Sequence, residues 1–225
     1  MYINTTGIIL REVQYKDTSK ILTVLTGSEG KLTVSAHGAY RKTSKLSAVT
    51  GLLVFSEMTL LKKKDRWTMT EARTVEQFLG LRDDLKLLSL GTYIAELTEA
   101  VADEDSPNPE LLPLCLNTLF ALSENLKTPD YVKPAFELRL MAISGFEPVL
   151  TTEKISGNNL YEDGTISLSK SAYDAAKYIL NCESKKLFSF TLSDSALKEL
   201  SRSTENYLLA HLDRSFRTLD YYHKI

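Results

Sequence analysis

Cysteine, histidine and long apolar runs are scarce in this chain of 225 residues. It holds two cysteines and three histidines. Cys115 and Cys182 stand far apart in helix-like sequence, which excludes a disulfide framework and points to two reduced, buried thiols in a cytoplasmic protein. A structural zinc site needs four Cys or His ligands at short spacing, and nothing supplies them. No stretch approaches the roughly 18 to 20 apolar residues of a membrane-spanning helix. Residues 1–10 have neither a basic start nor a long apolar core, so no secretory leader is expected. An excess of one charge is also missing. Lys+Arg is 27 against Asp+Glu 29, a net charge of -2, which taken whole argues against a nucleic-acid binder.

Catalytic signatures are absent too. There is no phosphate-binding glycine loop ending in Lys-Ser/Thr, no Gly-x-Ser-x-Gly and no His-Glu-x-x-His. His37 lies in a basic loop, His211 in a helical stretch and His223 near the end. Asp103-Glu104-Asp105 would serve a metal-dependent nuclease, but an acidic run at a helix end is also what solvation favours. No catalytic residue, metal or cofactor is expected.

What is present reads as strands first and helices after. Residues 7–13 and Ile21 to Thr26 are β-rich, and Gly27-Ser28-Glu29-Gly30 interrupts before Lys31 to Ala36 alternates with period two. That is a hairpin with a short glycine-containing turn. Leu52 to Leu61 and Trp67 to Ala72 form a second pair around Lys62-Lys63-Lys64-Asp65-Arg66. Five short strands with two open edges invite aggregation, so closure into a small barrel is predicted. From Leu81 to Val101 apolar residues recur at helical spacing. Asn108-Pro109 and Thr128-Pro129 read as N-cap and N1 pairs opening two more helices, the second ending near Gly145. Residues 146–170 are irregular, and helices are predicted near 171–182 and 194–217. The pattern is α+β: a barrel over residues 1–80 and a helical domain over 81–225, packed on each other across a short boundary.

Division at that boundary changes the charge argument. Residues 1–80 carry 12 Lys or Arg against 7 Asp or Glu, a balance of +5, and residues 81–225 carry 15 against 22, a balance of -7. The cations of the barrel concentrate in three places. One is His37-Gly38-Ala39-Tyr40-Arg41-Lys42-Thr43-Ser44-Lys45, one is the Lys62 to Arg66 turn, and the third is Arg11, Lys16 and Lys20 on or near the first two strands. Cations that track phosphates, beside rings on which bases stack, suit single-strand binding. The lysine turn also fits a solvated hairpin tip, and Trp67, alternating with Met69, fits the barrel core. Arg11, Lys20, His37, Tyr40, Arg41, Lys42, Lys45, Lys63 and Arg66 are the candidate DNA contacts. A barrel that binds an acidic protein partner instead of DNA is the alternative.

Several segments resemble the RecO family of bacterial DNA repair and recombination mediators. They are Gly7-Ile8-Ile9-Leu10, Tyr15 to Leu22 with its Asp-Thr-Ser turn, and Gly38 to Leu46. Further on come Phe136-Glu137-Leu138-Arg139, Gly145-Phe146-Glu147-Pro148-Val149-Leu150 and Arg214-Ser215-Phe216-Arg217-Thr218-Leu219-Asp220. Order and spacing carry the match over nearly the whole chain. The resemblance implies an N-terminal OB-fold, binding of single- and double-stranded DNA and annealing of complementary strands. It also implies help in loading recombinase onto DNA coated by single-strand DNA-binding protein, RecR as partner, and a place in the bacterial cytoplasm near the nucleoid. Arg41, Lys42 and Lys45 fall on the family's basic loop, and His37 stands where the family often has Lys. Many members carry a four-cysteine zinc module after the Gly-x-x-Pro-x-Leu segment. Here Glu153 and Ser156 occupy the first two cysteine positions, and Ser167 and Lys170 the later pair. Over residues 146–170 a degenerate, zinc-free lobe is therefore expected, held by turn hydrogen bonds and apolar packing.

Overall fold

The computed structural model describes residues 1–41, 43–153 and 164–225. Five strands close into a barrel: β1 (Tyr2–Tyr15), β2 (Ser19–Thr26), β3 (Gly30–Ala36), β4 (Phe55–Lys63) and β5 (Arg66–Glu76), in the order β1-β2-β3-β5-β4. All pairings are antiparallel except β3 with β5, where Val34 lies beside Trp67 and Ser35 beside Thr68. This is the predicted OB-fold barrel, with longer strands than the β-rich runs alone suggest. The period-two pattern points one set of side chains inward. Ile9, Leu22, Val24, Leu32, Val34, Met58, Leu60, Trp67 and Met69 fill the interior, which places Trp67 in the core as its alternation predicts.

A bulge in β1 between Ile9 and Arg11 resets that alternation. Ile8 faces away from the interior by ordinary alternation and Leu10 is the extra residue; both join Leu25 in a buried cluster with the helices, and beyond the bulge Arg11 pairs with Thr23 instead of following Ile9 inward. The barrel and the helical part thus share one core.

The helices are α1 (Leu85–Val101), α2 (Leu111–Ser123), α3 (Pro129–Ile143), α4 (Lys170–Asn181), α5 (Asp194–Leu212) and α6 (Arg217–Tyr222). Asp84 caps α1 by accepting from the N–H of Lys86 at 2.6 Å and of Leu87 at 3.3 Å. Pro129 opens α3 as predicted. Gly145, at φ 86°, closes it: its N–H donates to the Ala142 carbonyl at 3.1 Å and that of Phe146 to Met141 at 2.8 Å.

Two helix expectations need correction. α2 begins at Leu111 rather than Pro109. The Asn108 side chain accepts from Glu110 N–H at 3.0 Å and donates to the Ile143 carbonyl at 3.0 Å, so it ties α3 to a turn before the helix starts. The last helix is broken: Asp213 adopts φ 45°, and α6 restarts at Arg217.

The lobe after α3 contains a parallel pair, β6 (Val149–Thr151) with β7 (Thr165–Ser167). The residues at the expected cysteine positions do not suit zinc. The Ser167 hydroxyl donates to the Glu153 carbonyl at 2.6 Å, and the Lys170 ammonium is paired with Asp174 at 2.8 Å. Ser156 lies outside the described residues. Ile166 and Leu168 are buried in the shared core.

Candidate nucleic-acid interface

The chain leaves β3 into a loop wound by successive turns. Arg41 N–H donates to Gly38 at 3.0 Å, Ser44 to Arg41 at 2.9 Å and Ser47 to Ser44 at 3.1 Å. Gly38 sits at φ 71°, which glycine adopts without steric cost. Apolar residues pin this loop to the barrel: Ala39 and Val49 are buried in its core and Leu46 packs against it. Tyr40 N–H also donates to the Thr18 carbonyl at 3.0 Å, which joins the loop to the β1–β2 turn. Anchored this way, the loop turns His37, Tyr40, Arg41 and Lys45 outward. None of these cations has an acidic partner among the described residues. Lys42 lies outside the described residues.

The β4–β5 tip is a second group of cations. Lys63 pairs with Arg66 across a turn of Lys64 and Asp65, and both are exposed. The Lys62 ammonium lies over the Trp67 ring, 4.8 Å from its centre, a cation–π contact. Trp67 neighbours Val34 on β3, three residues before His37, or about 10 Å at the rise of a strand. The outward residue between them is Ser35, small and polar, and Thr33 lies just before Val34. The loop cations and the β4–β5 tip cations thus stand near the β3–β5 pairing, with the exposed Tyr40 ring beside the loop cations.

Two of the candidate contacts are engaged within the protein. Lys20 is only 8% exposed. It pairs with Glu12 and donates to the Thr50 carbonyl at 3.2 Å, under the Tyr40 ring. Its ammonium is thus taken up inside the protein. Arg11 is outside the barrel but tied to Glu99 of α1 at 2.9 Å, because the bulge turns it toward the helices. Conversely, Tyr15 and Lys16 were not among the candidate contacts. Both are exposed at the β1–β2 turn, with the ammonium 5.3 Å from the ring. An aromatic-cation pair at a turn was the signal for them.

The acids Asp103 to Asp105 have a backbone role. Lys31 N–H donates to Asp103 at 3.2 Å, Asp105 N–H donates to Lys31 at 3.2 Å, and Glu104 forms a parallel bridge with Lys31. No three His, Cys, Asp or Glu side chains converge to hold a metal among the described residues. Nor is any helix there long and apolar enough to cross a membrane.

Comparison with known proteins places the chain in a family. Residues 1–78 match the family described as Recombination protein O N terminal, and residues 82–220 match Recombination protein O C terminal. DNA repair protein RecO of Acetivibrio thermocellus is 30% identical over 98% of this chain and 96% of that protein. The RecO of Caldicellulosiruptor bescii is 28% identical over 98% and 97%. That of Bacillus subtilis is 33% identical over 64% of this chain and 56% of its own length. With a closed five-strand barrel, a helical remainder and both family matches in the same order, the chain belongs to the RecO family of DNA repair proteins.

Proposed function

We propose that this protein is a non-catalytic recombination mediator that binds single- and double-stranded DNA through its barrel and anneals complementary strands. With RecR it helps load recombinase onto DNA coated by single-strand DNA-binding protein. The observation that carries this reading is the pinned loop, whose apolar residues are buried while His37, Tyr40, Arg41 and Lys45 face solvent without acidic partners. Neutralising phosphates on two strands removes the repulsion that keeps them apart, and counterion release supplies the favourable free energy. The family membership supports the repair setting. RecR and single-strand DNA-binding protein enter as partners through the resemblance. Domains divided near residue 80 would separate the basic surface from the acidic helices.

A salt-dependent titration of a fluorescent single strand, with and without RecR, tests the proposal. Affinity is expected to fall steeply with salt, and Arg41→Glu with Lys45→Glu to weaken binding at least about tenfold, since two attractive contacts become repulsive. Binding that ignores both salt and these substitutions would refute it.

A further inference from the structure

A cleft of about 570 Å³ opens where the barrel meets the helices. Arg11 and Lys31 of the barrel face Arg214 and Arg217 of the C-terminal segment across it. Three carboxylates also line it, and each is already answered. Glu12 holds Lys20, Glu99 accepts from Arg11 at 2.9 Å and from Thr23 at 3.4 Å, and Glu96 accepts from Thr218 N–H at 3.2 Å.

The cations are less well matched. Lys31 meets only a main-chain carbonyl, that of Glu99 at 3.0 Å. Arg214 reaches Glu96 at no closer than 4.0 Å, and Arg217 forms no ion pair among the described residues. Arg214 is also propped in place: its guanidinium lies 4.8 Å from the Phe216 ring, and that ring is buried edge-on against Tyr93 at 6.0 Å. The cleft and the basic loop lie on either side of one ion pair: Glu12 lines the cleft and holds the Lys20 ammonium, which lies 5.1 Å from the Tyr40 ring.

We infer that this cleft takes phosphates of a DNA single strand that has passed the basic loop, with Arg214, Arg217 and Lys31 as the contacting cations. The inference rests on the DNA-binding reading above. The surplus is positive, guanidinium groups grip phosphate through paired N–H donors, and the volume is that of a cleft for an organic ligand rather than a lone ion.

The test compares two fluorescent strands. One is of about 8 nucleotides, within the span of a single OB barrel, and the other is several times as long. In Arg214→Gln/Arg217→Gln, affinity for the long strand is expected to fall about five- to tenfold, and its salt slope to shrink by about 1.4, the loss of two single-strand phosphate contacts. The short strand should bind as in the wild type, and Arg214→Lys/Arg217→Lys should restore most of the loss. Equal losses for both strands, or none for either, overturn the inference. If wild-type protein binds neither strand, the DNA-binding reading falls and takes this one with it. If wild type binds, responds to Arg41→Glu and ignores the cleft variants, only this inference falls.

Discussion

Gly30 shows how little room the junction between barrel and helices leaves. It adopts φ 72°, and a Cβ there would lie 2.3 Å from the Ser106 carbonyl oxygen. Gly30→Ala is therefore expected to destabilise the fold by about 2–4 kcal/mol, combining left-handed strain with a backbone clash. Urea unfolding measures it; a change below about 0.5 kcal/mol would mean the junction yields. The sequence marks Gly30 as a turn glycine, but the contact with Ser106 spans 76 positions and has no local trace. Lys20 is the opposite case. It shares the inward phase of Leu22 and Val24, so its burial was legible in the alternation. Its charge drew attention to ligands instead. Arg11 was not legible, because the bulge that turns it outward has no glycine to announce it.

Among the elements, α3 and α5 are joined by buried charge. Lys133 pairs with Glu137 at 2.7 Å and Glu205 at 2.6 Å, with 3% and 0% of the Lys133 and Glu137 side chains exposed. Tyr93 and Thr204 each donate to Glu137 at 2.8 Å. Burial opposes the charge on Lys133, but the two carboxylates outweigh it and raise its pKa. Burial likewise opposes the charge on Glu205, yet Lys133 and His223 hold its pKa below the ordinary value. The Glu205 contribution is complete above the ordinary carboxylate range and lost as pH falls through its depressed pKa. The Lys133 contribution is complete below the ordinary lysine pKa and lost as pH rises through its raised one. Melting temperature should hence be flat across neutral pH and drop below about pH 4. Lys133→Met is expected to cost about 3–5 kcal/mol by stranding a buried carboxylate. A denaturant midpoint equal to wild type would contradict it. The i,i+4 spacing of Lys133 and Glu137 was readable, but the third member, 68 residues beyond Glu137, was not. Helix starts followed local chemistry where Pro129 and Asp84 act alone. They shifted at Asn108, whose side chain is engaged by another helix.

For the whole molecule, Ile8, Leu10 and Leu25 lie in the same buried cluster as the helices. The fold should consequently unfold in one transition. Trp67 is the only tryptophan and sits in the barrel core, so its fluorescence reports the barrel while helical circular dichroism reports the rest. Coincident midpoints are expected, and two separate ones would show that the shared cluster does not couple the parts.

The sequence by itself determined the barrel, the order of strands before helices, and the split of a net charge of -2 into +5 and -7. Those features rest on local periodicity and composition, which each segment carries alone. It also determined that no four-cysteine zinc site exists, since only two cysteines are present. Only the tertiary structure decided which cations are free. Lys20 and Arg11 are answered by acids 8 and 88 positions away, while Arg41 and Lys45 are displayed because buried neighbours hold their loop. Whether a charge meets a phosphate or a carboxylate depends on what long-range packing places beside it, and no local pattern records that.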